Sequence, residues 1–297
     1  MLENAFEKTF YDIYILVNKG FSKHNQKQIQ KDCSKYKNNE VHFLKMDNAF
    51  KKYETGSKRF PASAYYRLII ANILDKYDKC LYLDSDIIIK QDLTELFETD
   101  INDYYIAGVK IPGHYVKGRE QKLLESAKKI ELPNLNNYVN SGVLLMNLDR
   151  LRKENAVEKF LEYAEKKNFL DQDVINKVCY NKSKIVELKY NVMTSELKHL
   201  DADLTVPYSE QEQKEVKENP VIIHYVSSKP WKDKEVIFAN WWWDYAKKSV
   251  YWKELLFEFN KRNFSQKIFS SRNSSDKKHK IIYILGFKFS IRKKKNN

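Results

Sequence analysis

The chain has few cysteines and no long apolar run. Its three cysteines, Cys33, Cys80 and Cys179, are widely spaced, and no CxxC pair occurs among them. This spacing indicates neither a zinc site nor a disulfide framework, and it favours reduced thiols and a cytoplasmic protein. No run of 18 apolar residues appears, so the sequence predicts no membrane-spanning helix. The first ten residues carry Glu3 and Glu7 and lack the apolar stretch of a signal peptide.

Acidic residues are scarce at the C-terminal end. Residues 261–297 hold 12 Lys/Arg and a single acid, Asp276, so this segment carries +11 of the chain's net charge of +13. The other 260 residues are therefore close to neutral, and their apolar content is enough to bury a core. We predict one globular domain over residues 1–260 and a basic tail over residues 261–297.

Short apolar strands alternate with helical segments along the body of the chain. The β-branched and aromatic run Tyr11–Val17 predicts a strand, and Ser22 is typical of a helix N-cap. Further strands are predicted at 41–45, 80–83, 106–109, 143–147, 185–188 and 221–225, and helices at 22–36, 61–74, 118–130, 155–167 and 171–178. This alternation indicates an α/β protein with a mostly parallel sheet flanked by helices, which binds ligands at the carboxyl ends of its strands.

Two carboxylates follow the apolar run at 80–83. Asp84 and Asp86 are separated only by Ser85, and in extended chain their side chains point the same way. Such close like charges in apolar surroundings would raise one pKa strongly unless a cation lies between them. A divalent metal with oxygen ligands fits that requirement. The alternative interpretation is a turn in which both aspartates accept backbone amide hydrogen bonds.

A histidine ends another apolar run, at 221–225. His224 could complete a mixed oxygen and nitrogen shell suited to manganese, and Lys229 could meet phosphate oxygens. A lone histidine in this position also fits a hydrogen-bonded structural role, and the residues alone leave both interpretations open.

Five segments together resemble the family 8 glycosyltransferases, retaining enzymes of the GT-A fold that use nucleotide-sugar donors. One Asp-x-Asp tripeptide is a weak signal, but the five occur in the family's order and with similar spacing, between about residues 11 and 243. The matching segments are 65–68 (YYRL), 81–86 (LYLDSD), 140–147 (NSGVLLMN), 171–173 (DQD) and 224–231 (HY, then KPW). The resemblance implies a GT-A-type, Rossmann-like α/β fold.

The resemblance also implies a metal and a donor site. Asp84 and Asp86 would bind Mn²⁺, with Mg²⁺ as the alternative, and His224 would be the third protein ligand. The donor, a UDP-hexose, would contact Arg67, Asp84, Ser85 and Lys229, with Lys229 on the diphosphate. The implied reaction moves glucose or galactose from this donor to lipopolysaccharide or another surface-glycan acceptor.

The implied catalytic residues are Gln172, Asp171 and Asn140, which match positions that line the sugar and the acceptor pocket. Gln172 matches the family's usual candidate nucleophile, but an amide oxygen is a poor nucleophile compared with a carboxylate. We therefore favour attack by the acceptor on the face that UDP leaves, with the leaving phosphate as base. The alternatives are structural: Asp171 fits a helix N-cap, and Asn140 could satisfy a turn.

The chain departs from the family's pattern at two places. Residues 1–6 resemble the end of the helix that follows the family's first strand, so we expect that strand, with its uracil and ribose contacts, to be missing. Residues 110–113 (KIPG) stand where many members carry an acceptor-contacting aspartate, which predicts a different acceptor preference. The alternative function is that of a catalytically impaired GT-A-like fragment that binds a glycan or a partner.

Aromatic and aliphatic residues in the tail, at 280–295, are bracketed by cations. Such a segment suits an anionic membrane surface, where glycolipid acceptors are held. We predict a peripheral protein on the inner face of a bacterial cytoplasmic membrane, and a solvated tail that touches nothing is the alternative. Nucleic acid is not predicted as a partner, since no groove-reading fold accompanies the basic run. The Trp241–Trp243 cluster resembles a sugar-stacking platform, but packing of a late helix is the favoured interpretation.

Overall fold

The computed structural model describes residues 1–46, 62–166, 169–205, 208–273, 279–284 and 287–292. The chain divides into two compact units, Met1–Ser227 and Ser228–Asn297. The predicted helix start at Pro61 and the predicted helix end at Lys167 lie outside the described residues. The predicted functional division between residues 260 and 261 stays a prediction.

Strands and helices alternate along the first unit, as predicted. Its described strands are β1 (Tyr11–Val17), β2 (Asn39–Lys45), β3 (Lys79–Leu83), β4 (Ile87–Ile89), β5 (Ile106–Lys110), β6 (Val139–Asn147), β7 (Ser183–Ile185), β8 (Val192–Met193) and β9 (Ile222–His224). Its described α-helices are α1 (Lys23–Cys33), α2 (Ile70–Ile73), α3 (Thr94–Glu98), α4 (Glu120–Lys129), α5 (Leu148–Lys153), α6 (Ala156–Ala164), α7 (Asp171–Val178) and α8 (Glu210–Glu218). The segment predicted as a helix at 61–74 is mostly a 3₁₀-helix, Ala62–Ile69, followed by α2.

The N-terminal strands β1 and β2 form a parallel pair joined through α1. Ser22 is the N-cap of α1, and its hydroxyl accepts a 3.1 Å hydrogen bond from the backbone N–H of Asn25. This bond satisfies one of the amide donors that a helix start leaves without a partner. The strand, the cap and the helix all follow the predicted pattern.

The strand β6 lies inside a four-stranded sheet of order β3-β6-β5-β7. It runs antiparallel to β3 and β5, whereas β5 and β7 are parallel. It begins at Val139, four residues before the predicted start. The apolar pattern misses these first residues because Asn140 and Ser141 are polar, although both are buried within the strand. The same strand therefore carries apolar core residues at one end and polar residues at the other.

A smaller, three-stranded sheet has the strand order β4-β9-β8, and its first strand, β4, follows β3 in the chain. Strand β4 is antiparallel to β9 and places Ile87 opposite His224. Strand β8 is parallel to β9 and pairs Met193 with His224. Since Asp84, Ser85 and Asp86 connect β3 to β4, the chain passes from the first sheet to the second at these residues.

The largest described core cluster packs the sheet against α5, α6 and α7. Fully buried members include Leu144, Leu148, Phe160 and Val174. Each large apolar side chain removed from water in this way stabilises the fold by about 1.5–3 kcal/mol. Apolar residues of β6 therefore pack within this core.

The second unit contains α9 (Ala239–Ala246), α10 (Trp252–Ile268) and the antiparallel sheet β10 (Phe269–Asn273), β11 (His279–Ile284) and β12 (Phe287–Arg292). Trp243 of α9 is buried edge-on against Phe259 and Trp252 of α10, with ring centroids 4.8 and 6.0 Å apart. This supports the packing interpretation for Trp243. Among the described residues, none of the helices combines the length and the apolar composition needed to cross a membrane.

Candidate functional site

Backbone hydrogen bonds hold the two aspartates where the two sheets meet. The N–H of Asp84 donates to the carbonyl of Gly142 in β6 at 2.8 Å, which extends the β3–β6 ladder by one residue. The N–H of Tyr225, just past β9, donates to the carbonyl of Asp86 at 3.0 Å. Asp84 is therefore fixed to one sheet and Asp86 to the other, with β9 beside them.

The side chains of Asp84, Asp86 and His224 converge at this junction. Nε2 of His224 lies 3.3 Å from Oδ1 of Asp86 and 3.8 Å from Oδ2 of Asp84. One ligand atom from each of the three lies within 4.8 Å of the others. Metal–ligand bonds of about 2.1 Å at right angles would place neighbouring ligand atoms about 3 Å apart, so the triad fits a divalent cation with little movement.

Burial of the triad is uneven. His224 is 3% exposed, whereas the side chains of Asp84 and Asp86 retain 25% and 21% of their surface. The imidazole thus forms the floor of the site and the carboxylates reach its open side. A cation held there would keep coordination positions free for oxygen atoms of a ligand.

Gly142 leaves the space that the triad occupies. A Cβ atom at this position would overlap Cε1 of His224 and lie 2.8 Å from Oδ2 of Asp84. Its place inside a strand is explained by this close approach and not by an unusual backbone angle. The sequence offered a signal for it, since a glycine within an apolar strand often marks such an approach.

Arg67 connects the first aspartate to the start of α7. Its Nη2 lies 2.9 Å from Oδ1 of Asp84, and its Nε lies 3.3 Å from Oδ2 of Asp171. Its Nη1 also donates to the carbonyl and the hydroxyl of Ser141. Arg67 is 6% exposed. The predicted contact with the donor stays a prediction, and the burial of the guanidinium shows that Arg67 is not an ordinary surface cation.

Tyr82 also contacts Asp84, and the sequence did not predict this contact. Its hydroxyl donates to Oδ1 of Asp84 at 2.7 Å, and its ring centroid lies 4.5 Å from Cζ of Arg67. Burial raises the pKa of the Tyr82 hydroxyl, so the group stays protonated and remains a donor. Asp84 is thereby held by a charged and a neutral donor on the same oxygen, which leaves Oδ2 directed to His224.

Asp171 is the first residue of α7, and Leu170 is the N-cap. The carboxylate that accepts the cap N–H of Leu170 belongs to Asp173, at 3.1 Å. The N-cap alternative for Asp171 is therefore wrong. Burial raises the pKa of Asp171, and the adjacent guanidinium of Arg67 opposes that rise.

Gln172 and Asn140 lie in direct contact. Oε1 of Gln172 accepts from Nδ2 of Asn140 at 3.1 Å and from the N–H of Ser141 at 3.0 Å. Nε2 of Gln172 reaches the hydroxyl of Tyr138 at 3.3 Å. The hydroxyl of Ser141 also donates to Oε1 of Gln172, at 3.4 Å. The amide oxygen therefore already accepts three hydrogen bonds from β6, and this lowers its availability to a substrate. The catalytic roles of these residues stay predictions.

Other predicted residues have a simpler placement. Ser85 lies between the two aspartates in the connection from β3 to β4. Lys229 belongs to the second unit, and its predicted contact with a diphosphate stays a prediction. An open depression of about 820 Å³ near Lys79 and Asn147 lies at the opposite end of β3 from Asp84. Asp84, Asp86 and His224 do not line this depression, so its size does not mark the candidate metal site.

The fold is of the GT-A type found in glycosyltransferases. The sequence model for glycosyl transferase family 8 matches residues 3–235. The chain belongs to this family.

Bacterial relatives support the same class. General stress protein A of Bacillus subtilis is 24% identical over 240 residues, which are 78% of this chain and 80% of that protein. The lipopolysaccharide 1,2-glucosyltransferase of Escherichia coli is 30% identical over 186 residues, which are 60% of this chain and 52% of that enzyme. The chain thus spans about half the length of the second relative.

Solved structures confirm the fold. The bifunctional glycosyltransferase WbbM superposes with a TM-score of 0.70 at 25% identity, over 88% of this chain and 47% of that one. The galactosyltransferase LgtC, solved with donor and acceptor sugar analogues, gives a TM-score of 0.65 at 19% identity, over 80% and 96% of the two chains. The predicted GT-A-type α/β class is therefore confirmed.

Proposed function

We propose that the chain is a retaining hexosyltransferase that moves glucose or galactose from a UDP-sugar to lipopolysaccharide or another surface glycan, with Mn²⁺ or Mg²⁺ as cofactor. The observation that carries this proposal is the convergence of Asp84, Asp86 and His224 at the junction of two sheets. Two carboxylates and an imidazole form a donor set suited to these cations. The partly exposed carboxylates leave room for the diphosphate of the donor.

In this proposal the side chains of the site stabilise UDP as the leaving group. A bound divalent cation would neutralise the charge that develops on the leaving diphosphate. Asp84 and Asp86 would hold that cation, and Arg67 holds the carboxylate of Asp84 in place by a 2.9 Å contact. Lys229 would bind a phosphate oxygen and add a second positive charge where negative charge develops.

The contacts of Gln172 support same-face attack by the acceptor. Its amide oxygen accepts three protein hydrogen bonds, and it is an intrinsically weak nucleophile. A covalent sugar adduct on this atom would require these bonds to break. We therefore assign the proton of the attacking acceptor hydroxyl to the leaving phosphate, and we place Gln172, Asp171 and Asn140 around the sugar.

The acceptor class is proposed from the relatives. The Escherichia coli relative and a Salmonella typhimurium relative are a lipopolysaccharide glucosyltransferase and a lipopolysaccharide galactosyltransferase. Glucose and galactose donors and a lipopolysaccharide-type acceptor are therefore the first substrates to test.

We also propose that the second unit binds an anionic membrane surface. Phe287, Phe289 and Ile291 alternate along β12, so they share one face of the sheet, and each is at least half exposed. The register places Ile284 opposite Phe287 on that face. The net charge of +11 on residues 261–297 favours an anionic partner, and glycolipid acceptors are held at such a surface.

UDP release tests the catalytic proposal. Wild-type protein with Mn²⁺ is expected to release UDP from UDP-glucose or UDP-galactose, faster when a lipopolysaccharide acceptor is present. Asp86→Asn is expected to abolish release, whereas Asp203→Asn, an exposed aspartate paired with Lys117, is the matched control and should leave it unchanged. Absence of UDP release, with no thermal stabilisation by Mn²⁺ and UDP but stabilisation by a glycan, would instead support the binding-module alternative.

Sedimentation with vesicles tests the membrane proposal. The protein is expected to bind phosphatidylglycerol-containing vesicles, and Phe287→Ser with Phe289→Ser should weaken that binding. Phe10→Ser, an equally exposed phenylalanine in the first unit, is the control. Equal binding by the double variant, or preference for DNA over vesicles, would contradict the proposal.

A further inference from the structure

A chain of buried hydrogen bonds links the backbone of β6 to the imidazole of His224. It begins at the N–H of Gly142, which donates to Oδ1 of Asn140 at 3.0 Å. A backbone amide can only donate, so this contact identifies the atom of the Asn140 side chain that faces it as the oxygen. The orientation of the Asn140 amide is thereby fixed.

Asn191 is the next member of this chain. Its Nδ2 lies 2.9 Å from Oδ1 of Asn140, and the atom facing a carboxamide oxygen must be the nitrogen. The oxygen of Asn191 therefore faces the other way, where it lies 3.0 Å from Nδ1 of His224. The orientation of this second amide is thus set by the first.

The tautomer of His224 follows from that orientation. An amide oxygen can only accept, so Nδ1 of His224 carries a proton and donates it to Asn191. In the neutral ring the lone pair is then on Nε2, the atom that lies 3.3 Å from Asp86 and 3.8 Å from Asp84. Asn191 is 0% exposed, so water does not compete for its oxygen.

We propose that Asn191 is a positioning residue that fixes the tautomer and ring orientation of His224 for a divalent cation. The inference rests on the proposed function, because it treats Nε2 as a metal ligand. A second partner on the far nitrogen of a metal-binding imidazole typically contributes about 10–100-fold in metal affinity. Asn191 belongs to none of the five segments that resemble the family, and it reaches the site because it immediately precedes β8, which pairs with β9.

The test compares Asn191→Leu with Asn191→Asp. Leucine has the same branched shape but no acceptor, whereas aspartate retains an oxygen for Nδ1–H while it loses the donor to Asn140, and it is the partial-rescue variant. The first readout is the ¹⁵N spectrum of the imidazoles in metal-free protein at about pH 9, above the ordinary imidazole pKa of about 6.5. The signal of His224 is identified by its loss in His224→Gln.

Wild type and Asn191→Asp are expected to show a protonated Nδ1 and an unprotonated Nε2, and Asn191→Leu a mixture of tautomers. The second readout is Mn²⁺ affinity, measured by the electron paramagnetic resonance of free Mn²⁺ with UDP present. It should fall about 10–100-fold in Asn191→Leu and recover at least in part in Asn191→Asp.

A proton on Nε2 in the wild type, or an Asn191→Leu variant with unchanged tautomer and unchanged Mn²⁺ affinity, would overturn the inference. The wild-type spectrum decides the tautomer even if the leucine variant fails to fold. A wild type with the expected tautomer that binds neither Mn²⁺ nor UDP would overturn the proposed function and the metal part of this inference. The spectra would still decide whether Asn191 fixes the tautomer of His224.

Discussion

Nη2 of Arg67 lies 2.9 Å from Oδ1 of Asp84. The same guanidinium lies 3.3 Å from Asp171, at the start of α7, so one buried cation joins the strand end that carries the aspartate pair to the helix that carries Gln172. Both carboxylates are compensated by this single charge. The link makes the local stability of the fold and the geometry of the site depend on the same residue.

Replacement of Arg67 by methionine is expected to destabilise the protein by about 3–5 kcal/mol, because it leaves the buried carboxylate of Asp171 and the partly exposed carboxylate of Asp84 without their counter-charge. The matched control is Arg150→Met. Arg150 is partly exposed and pairs with Glu154 at 2.6 Å, so its loss should cost about 1 kcal/mol or less. Urea midpoints followed by circular dichroism measure both. Equal urea midpoints for the two variants would show that the ion pairs of Arg67 do not stabilise the fold more than those of Arg150.

Addition of one methyl group at Gly142 is expected to displace the imidazole. In Gly142→Ala the new Cβ would overlap the ring of His224 and crowd Oδ2 of Asp84. We expect Mn²⁺ binding to fall below detection in a titration that measures free Mn²⁺ with UDP present. Gly20→Ala is the control, since its Cβ would meet only Oδ1 of Asn18, at 3.4 Å, among the described residues. Normal Mn²⁺ binding by Gly142→Ala would contradict the proposed ligand set.

His114 should make the fold sensitive to mild acid. Burial lowers the pKa of its imidazole from 6.5 to about 4, against the opposing effect of Glu196, and its Nδ1 has no hydrogen-bond partner among the described residues. The unfolded chain then binds a proton at a pH where the folded protein does not. Stability is therefore complete above about pH 6.5 and is lost as the pH falls towards 4.

His114→Phe removes this titration and keeps a ring against Tyr138. Relative to wild type, the variant is expected to gain stability as the pH falls from 7 to about 4.5, by a total approaching about 3 kcal/mol. The measurement is the difference in free energy of unfolding between variant and wild type across that range. A difference independent of pH would show that the proton is taken up elsewhere.

The sequence predicted those site residues that stand at the ends of apolar strands. Asp84, Asp86 and His224 each follow or end an apolar strand, and strand ends converge in α/β folds. Their predicted proximity is confirmed by distances of 3.3 and 3.8 Å. The fold class was predictable for the same reason, since alternating strands and helices are visible along the chain.

Features that depend on long-range register were not predictable. Tyr82 and Asn191 lie 109 residues apart in the numbering, and nothing in their neighbouring residues indicates that both serve one site. The antiparallel direction of β6 brings Gly142 to Asp84, and the parallel pairing of β8 with β9 brings Asn191 to His224. These contacts are set by strand pairing, which a hydrophobic pattern alone does not specify.

The central claim is that one divalent cation binds between two sheets so that a diphosphate can leave. Crystals grown with Mn²⁺ and UDP, measured for anomalous scattering at the manganese edge, test it most directly. The account predicts a single strong peak about 2.1–2.3 Å from a carboxylate oxygen of Asp84, a carboxylate oxygen of Asp86 and Nε2 of His224, with phosphate oxygens on its open side. A manganese peak elsewhere, or UDP bound with no peak between these three side chains, would contradict it.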